Sequence, residues 1–284
     1  MKAASYEVVI APSRGWITVD WREFWEYRDL LLLLIQRDVT SRYKQTLLGP
    51  LWFVVQPVLT AFVFAIIFGR VAGIPTDGIP GPLFYLCGLL GWTYFSQNIS
   101  NAGASFVNNS HLFGKVYFPR LIVPLAIILS NLVAFAIQFV PFLLFLAYYL
   151  LFTQEGGAVH LSWRVVLAVL PLLHVAALSL GISLLMSAAS AKYRDLIHLN
   201  QFLIQIWMFA TPIFYPLSKV PEKWEWIIWA NPISVPIEAF RICLLGAGTL
   251  GWREITISLS LTVLLFVAGI VSFQRVERTV IDSV

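Results

Sequence analysis

The chain has 284 residues, of which 59% are hydrophobic and 12% are charged, and its mean hydropathy is +0.80. This composition excludes an ordinary soluble domain, in which about a quarter of the residues are charged, and it indicates several membrane spans of about 20 residues each. The net charge of +4 does not indicate nucleic-acid binding, because the basic residues lie mainly beside the predicted ends of the spans.

The N-terminal segment, residues 1–47, is predicted to contain an amphipathic helix over residues 22–46. Its apolar residues follow a helical spacing and lie opposite a charged face, a pattern typical of helices in the membrane interface. These apolar residues are Phe24, Leu31, Leu32, Ile35, Val39 and Tyr43.

Six transmembrane helices are predicted within a permease domain over residues 48–273. Their approximate bounds are 48–68, 83–106, 121–152, 165–189, 196–217 and 255–273. The second is polar in its latter half, so it is expected to face protein or water. The third exceeds a hydrocarbon core of about 30 Å, so it must tilt, kink at Pro141 or protrude. The fifth is interrupted at Thr211-Pro212.

Two shorter apolar pieces precede the last span, at residues 224–230 and 233–245. Neither is long enough to cross a membrane, so both are predicted to be re-entrant or interfacial helices. Six crossings place both termini on one side, which carries thirteen of the nineteen Lys and Arg residues. The predicted fold is therefore an all-α membrane protein with both termini cytoplasmic, including a tail over residues 274–284.

Several kinds of chemistry are missing from the chain. The predicted spans contain no Asp, Glu, Lys or Arg, which disfavours a gradient-driven carrier, and His174 is most simply a hydrogen-bonded packing residue. The chain has no Gly-x4-Gly-Lys-Ser/Thr loop for ATP. No catalytic triad and no metal-ligand spacing stands out. Glu238 and Arg241 are the candidates for an enzymatic site, and an ion pair or helix-end charges is the plainer interpretation.

Uncharged amides and aromatic side chains are the candidates for lining a passage, because sugars offer hydroxyls to amides and apolar ring faces to aromatics. The plainer alternative for each is interhelical hydrogen bonding or an interfacial aromatic belt. The candidates are Trp52, Gln56, Trp92, Tyr94, Gln97, Asn98, Trp207 and Tyr215, with Asn131, Gln138 and Gln205 in a wider set.

Three stretches carry a resemblance to a known family. The clearest is residues 37–52, RDVTSRYKQTLLGPLW, with Asp, Arg-Tyr, Leu-Gly and Trp in order. The second is the loop over residues 108–120, and the third is Tyr193-Arg194-Asp195, followed by the break at residues 211–215. Together they resemble the transmembrane permease subunits of bacterial ATP-binding-cassette exporters of O-antigen, capsular polysaccharide and teichoic acid.

The resemblance implies a homodimer in the bacterial inner membrane that exports a lipid-linked polysaccharide. Two copies of a separate ATPase subunit would bind ATP and Mg²⁺, and this chain would carry no cofactor. Its partners would also include membrane lipids but no nucleic acid. The implied ATPase-coupling residues are Phe113, Lys115, Tyr117, Arg37, Arg42, Tyr193, Arg194 and Asp195. Trp224, Trp226 and Trp229 would help to close the outer mouth.

Two alternative functions remain open from the sequence. One is an ATP-binding-cassette exporter of another lipid or a drug. The other is a membrane-embedded enzyme that acts on lipid-linked sugars, with Glu238 and Arg241 near the outer face. Among glycans, the short N-terminal helix and the overall length resemble the O-antigen branch most.

Overall fold

The computed structural model describes residues 21–44, 49–109, 113, 118–153, 159 and 162–281. All regular structure in these ranges is helical, which confirms the all-α prediction. The helices are α1 (Trp21–Glu26), α2 (Arg28–Tyr43), α3 (Trp52–Phe64), α4 (Gly81–Ala102), α5 (Ser105–Asn108), α6 (Ile122–Phe152), α7 (Val169–Lys192), α8 (Leu196–Phe209), α9 (Glu222–Ala230), α10 (Ser234–Leu245) and α11 (Trp252–Ile281).

Short irregular helical segments extend or join these helices. A 3₁₀ turn, Gly49–Leu51, leads into α3, and the π-helical segment Ala65–Val71 continues it. The 3₁₀ segment Trp163–Ala168 leads into α7, and Leu217–Lys219 forms a further 3₁₀ turn. α11 passes the predicted tail boundary at residue 274 and remains helical to Ile281.

Four helical segments among the described residues are long and apolar enough to cross a membrane. They are Val54–Val71, Ile122–Phe152, Trp163–Lys192 and Trp252–Glu277. The pair α9 and α10 passes the same test only together, bent by 99° at the break between them, which raises the count to five at most. The sequence predicts six spans, and α4 and α8 are the two that fall outside this count.

Polarity and length explain why α4 and α8 differ from simple spans. α4 has 22 residues, but amides and hydroxyls in its latter half lower its hydropathy. α8 has 14 residues, a length of roughly 21 Å, because the chain turns at Thr211-Pro212. A lipid-facing helix needs an apolar surface, whereas a helix enclosed by protein does not.

α4 is the buried centre of the bundle. It packs against α3, α6, α7 and α10, and most of its side chains are buried, as the polarity of the predicted second span indicates. Serines recur every three or four residues along α7, so they share one face. Among them, Ser183 Oγ donates to the carbonyl of Asn98 at 3.1 Å, and Ser190 Oγ donates to the carbonyl of Gly103 at 3.0 Å.

α7 and α11 form the most extensive helix pair. Gly181 permits their close approach, because a Cβ there would lie 2.7 Å from the Cα of Phe266. Gly269 faces the carbonyl of Gly181 in the same way. His174 Nε2 adds a hydrogen bond of 2.9 Å with Thr262 Oγ1, so this histidine is a packing residue, as the sequence indicates. Small residues at a helix interface are the usual basis of tight packing in membranes.

At one end of the bundle, α2 lies beside the start of α6, and the ends of α4 and α11 lie at the same end. We call this the α2 end. Leu34 of α2 packs with Ile122 at the start of α6. Phe106, just after α4, stacks on Phe273 of α11 with ring centroids 4.5 Å apart. The first contact holds α2 against the bundle, and the second joins α5 to α11.

At the opposite end, α10 lies beside the start of α4, and the end of α3 lies at the same end. We call this the α10 end. Phe84 of α4 lies 3.9 Å from the guanidinium carbon of Arg241 in α10. Phe64 of α3 contacts Phe214, which follows α8, with ring centroids 4.9 Å apart. The long helices therefore alternate in direction along the chain.

The surroundings of α2 and α10 refine two predictions made from the sequence. In α2, Leu34 is buried while Leu32 and Leu33 are 61% and 60% exposed, because consecutive leucines at about 100° per residue surround the helix. The predicted single apolar face is therefore wrong at Leu32. α10, predicted to be re-entrant or interfacial, is buried inside the bundle, where it packs on α4 and on the segment Trp163–Ala168. Of the two predicted alternatives, the interfacial one therefore does not describe α10.

Candidate transport groove

A cavity of about 360 Å³ lies along the partly buried side of α4, between α3 and α8. We call it the groove. Uncharged polar side chains and two indoles dominate its surface, and Arg42 is the one charged residue among the described residues that line it. The lining residues are Arg42, Gly49, Trp52, Gln56, Pro57, Thr60, Leu89, Trp92, Thr93, Ser96, Gln97, Gln138 and Met208.

The groove brings together Trp52, Gln56, Trp92 and Gln97 from the predicted passage residues. Helical spacing explains this. On α3, residues 52, 56 and 60 share a face, and on α4 residues 89, 92, 93, 96 and 97 do so. Gln138 of α6 also lines the groove. The amide and hydroxyl groups are thus presented from three helices.

Two other predicted passage residues lie on the opposite side of α4. Tyr94 is buried, and its hydroxyl donates to the carbonyl of Ile128 at 3.3 Å. Asn98 is buried, donates from Nδ2 to Ser179 Oγ at 2.9 Å and accepts from Asn131 Nδ2 at 2.7 Å. The structure therefore places both residues in interhelical hydrogen bonds and not on the groove.

Trp207 and Tyr215 lie near the groove without lining it. The indole N–H of Trp207 donates to Asn231 Oδ1 at 2.8 Å, and its ring meets Phe95 edge-on at 5.2 Å. Asn231 Nδ2 in turn donates to Thr211 Oγ1 at 3.0 Å. Tyr215 is half-buried against the core. These contacts fasten the end of α8 to the bend between α9 and α10.

Four phenylalanines, Phe64, Phe68, Phe209 and Phe214, follow the lining residues of α3 and α8 in sequence, towards the α10 end. Phe64 follows the lining residue Thr60 by one turn of α3, and Phe209 follows Met208 on α8. Phe214 contacts Phe64 at 4.9 Å, Phe68 at 4.5 Å and Phe209 at 5.4 Å between ring centroids. We call these four residues the aromatic closure, because they bridge α3 and the end of α8.

Comparison with known proteins identifies the class of this membrane domain. Residues 29–245 match the ABC-2 type transporter family. The chain is 30% identical over 251 residues to the O-antigen export system permease protein RfbA of Klebsiella pneumoniae, covering 88% of this chain and 92% of that protein. It is 32% identical over 203 residues to the RfbA of Myxococcus xanthus, covering 71% and 74% respectively. A more distant relative is the polysialic acid transport protein KpsM of Escherichia coli, at 23% over 209 residues, covering 73% and 78%.

The chain belongs to the ABC-2 type transporter family. It is a multi-pass membrane permease, a transport subunit and not an enzyme. The family implies a partner ATPase subunit, which agrees with the missing phosphate-binding loop. Glu238 and Arg241 of the permease form an ion pair of 3.1 Å in which each side chain is 2% exposed. The interpretation of these residues as an ion pair is therefore confirmed.

At the α2 end of the permease, Phe113 is half-buried against its own chain. Its ring lies 5.5 Å from that of Phe106 and 5.9 Å from that of Phe118, and the guanidinium of Arg120 lies 5.3 Å above it. Lys115 and Tyr117 lie outside the described residues. Sequence reasoning missed Phe106, whose spacing within the polar end of the second span gave no sign of this cluster.

The other predicted coupling residues lie in different surroundings. Tyr193 is 55% exposed just after α7, and Arg194 and Asp195 beside it are exposed as well. Arg37 donates from Nε and Nη2 to Asp38 Oδ1 at 2.9 and 2.8 Å. Arg42 lines the groove. Among these residues, Tyr193, Arg194 and Asp195 thus form a contiguous exposed surface after α7.

The predicted outer-mouth tryptophans all lie on α9. Trp224 and Trp226 are exposed, and the ammonium of Lys223 lies 5.6 Å above the ring of Trp224. Trp229 is half-buried. The structure places them on the outside of the bent pair of helices rather than on the groove.

Proposed function

We propose that this permease forms a homodimer, with two copies of a separate ATPase subunit, and exports a lipid-linked, O-antigen-like polysaccharide across the bacterial inner membrane. The groove is the observation that carries the proposal. It presents amides, hydroxyls and two indoles in a chain whose relatives are named as O-antigen export permeases. ATP and Mg²⁺ belong to the ATPase subunits.

The chemistry of the groove suits a neutral sugar polymer. Gln56, Gln97 and Gln138 supply both donors and acceptors for hydroxyl groups. Trp52, which is 50% exposed, supplies a face on which the apolar side of a sugar ring can stack, while Trp92 lines the groove as a largely buried ring. The volume of about 360 Å³ lies within the range of pockets that bind small molecules. A short stretch of glycan would therefore occupy the groove at any moment.

A second copy of the chain would cover the open side of the groove. Only 6% of the window Val54–Val71 is buried, and α8 exposes Phe202 beside the amides of Gln201 and Gln205. Amide groups are poorly suited to lipid. Contact with a partner copy or with a water-filled passage would satisfy them, and this supports the homodimer.

We infer six crossings, formed by α3, α4, α6, α7, α8 with residues 210–217, and α11. Their alternating direction supports this count, since α4 is shielded from lipid by its neighbours and α8 is continued by the chain that follows it. The bent pair α9 and α10 would enter from the α10 end without crossing. The α2 end would be cytoplasmic by the distribution of basic residues. The domain limits are proposed as 1–47, 48–273 and 274–284.

The ATPase subunits would act on the α2 end. The docking surface would consist of the exposed residues Tyr193, Arg194 and Asp195 and of the region around Phe113. Lys115 and Tyr117, which follow Phe113 in the sequence, are proposed to belong to the same surface. Arg37 and α2 would transmit the movement to α6, on which α2 packs.

The test is reconstitution of the permease with its ATPase subunits in vesicles that contain lipid-linked glycan. We expect ATP-dependent appearance of glycan on the far side, and no transfer with an ATPase subunit that binds but does not hydrolyse ATP. ATP hydrolysis without glycan movement, together with transfer of an unglycosylated lipid or a drug, would overturn the cargo assignment.

A further inference from the structure

The ion pair of Glu238 and Arg241 takes no part in the lining of the groove, yet it occupies the centre of the α10 end. Arg241 is among the largest fully buried side chains of the described residues. Its Nε finds no hydrogen-bond partner among them. Buried ion pairs add little net stability, because desolvation offsets the attraction between the charges. The position of this pair therefore calls for a reason other than stability.

Arg241 contacts three separate parts of the chain. Its Nη1 donates to Glu238 Oε2 at 3.1 Å, within α10. Its Nη2 donates to the carbonyl oxygen of Ile213 at 3.1 Å, in the turn after α8. Its guanidinium lies 3.9 Å from the ring centroid of Phe84, near the start of α4. One side chain thus joins α10, the turn after α8 and α4.

The surrounding backbone leaves little room for this side chain to move. A Cβ on Gly88 would lie 3.2 Å from Arg241 Nη2, so a larger residue on α4 would crowd the guanidinium. On the other side, the backbone N–H of Thr249 donates to Glu238 Oε1 at 3.2 Å. Gly248, at φ +130°, allows the chain to bring that N–H into place. Both members of the pair are thus fixed from outside α10.

The bond to Ile213 bears directly on the aromatic closure. The carbonyl oxygen of Ile213 and the nitrogen of Phe214 belong to one planar peptide unit. A hydrogen bond to that carbonyl therefore fixes the point from which the Phe214 side chain projects. Phe214 is the ring that touches Phe64, Phe68 and Phe209.

We propose that Arg241 is the positioning residue of the aromatic closure: it holds the Ile213–Phe214 peptide so that Phe214 seals the groove while no ATP is hydrolysed. The inference rests on the proposed function, because a seal matters only if the groove conducts. A movement of α10 away from α4 would carry the Ile213–Phe214 peptide with it. Displacement of α10 and opening of the closure are then one event.

The test measures leakage without ATP. Vesicles containing the permease with its ATPase subunits are loaded with a small hydrophilic fluorophore, and its efflux is followed. The variant Arg241→Lys keeps the charge opposite Glu238 but cannot donate to Glu238 and Ile213 through a rigid fork. We expect efflux to rise about tenfold, because the loss of one hydrogen bond changes the ratio of closed to open permease by about that factor. The exposed Arg253→Lys is the matched control and leaves efflux unchanged.

Glu238→Gln separates positioning from simple destabilisation. This variant breaks the charge pair and lowers the thermal midpoint of the permease, but it leaves the bond from Arg241 to Ile213 in place. We therefore expect efflux close to that of the unmodified permease. Equal efflux from Glu238→Gln and Arg241→Lys, or unchanged efflux from Arg241→Lys, would overturn the proposal.

Two further arms keep the test decisive. If Arg241→Lys fails to assemble, Gly88→Ala takes its place, because the added methyl group would lie 3.2 Å from Arg241 Nη2 and crowd the atom that donates to Ile213. This variant is expected to raise efflux, and no rise would overturn the proposal. ATP-driven glycan export by the unmodified permease is measured in the same vesicles. Absence of that export, with the efflux pattern intact, would count against the cargo but not against the positioning role.

Discussion

Asn98 donates a hydrogen bond of 2.9 Å to the hydroxyl of Ser179 and thereby ties the buried centre of the bundle, α4, to α7. Its Oδ1 accepts a second bond of 2.7 Å from Asn131 of α6. The next residue back, Gln97, lines the groove instead. Adjacent amides on α4 therefore have different surroundings, since successive helical residues point about 100° apart.

The first prediction is that Asn98→Leu destabilises the permease. The change leaves Asn131 Nδ2 without its acceptor in the interior and removes the bond that Ser179 Oγ accepts, although Ser179 still donates to the carbonyl of Ala176. We therefore expect a loss of about 1–2 kcal/mol in the free energy of unfolding. Denaturant unfolding of the detergent-solubilised permease measures it. No loss of stability would show that the hydrogen bonds of Asn98 are dispensable.

The second prediction concerns its neighbour, with Asn98→Leu as the matched comparison. Gln97→Leu removes a donor and an acceptor from the groove but breaks no interhelical bond of the kind that Asn98 makes. We expect a several-fold fall in glycan export at equal ATPase activity and little change in unfolding. A purely structural Gln97 would give the opposite pattern.

The third prediction is that Gly181→Ala pushes α7 and α11 apart. The added methyl group would lie 2.7 Å from the backbone of Phe266, and overpacking of this kind costs about 1–3 kcal/mol. Gly69→Ala is the control, because the nearest atom to its methyl group would be 3.9 Å away. Thermal unfolding of both variants checks the difference, and equal midpoints would contradict it.

The fourth prediction separates docking from packing at the α2 end. Tyr193→Ala alters an exposed side chain, so stability should change by no more than about 0.5 kcal/mol, while binding of the ATPase subunit weakens. Phe113→Ala empties part of the cluster with Phe106 and Phe118, so unfolding should become easier as well. Co-purification and thermal unfolding together distinguish the two. Unchanged co-purification of the Tyr193 variant would exclude it from the docking surface.

Much of the fold could be predicted from apolar runs and breaker residues. The apolar runs around α3, α6, α7 and α11 locate the long apolar segments, and Asn231-Pro232 marks the bend between α9 and α10. The positions of the spans relative to one another in the bundle are harder to predict from the sequence. α4 is too polar to pass as a lipid-facing helix, and only its burial by neighbouring helices makes it the centre of the bundle.

The candidate site could be predicted only in part, because composition does not say which face of a helix is open. Trp92 and Tyr94 are two residues apart, and both are aromatic, yet one lines the groove and the other bonds to Ile128. The motif around Arg42 predicts a coupling residue, and the sequence gives no sign that Arg42 also lines the groove. Arg241 gave no sequence sign of its contact with Ile213, since the two residues lie on different elements.

Passage of glycan along the groove can be detected by site-specific cross-linking. A photoreactive residue is placed at Gln97, or at the exposed Leu173 of α7 as control, in permease assembled with its ATPase subunits. During ATP-driven export we predict that Gln97 captures glycan and that Leu173 captures lipid alone. Active export with no glycan captured at Gln97, or with equal capture at both positions, would show that glycan does not pass along the groove.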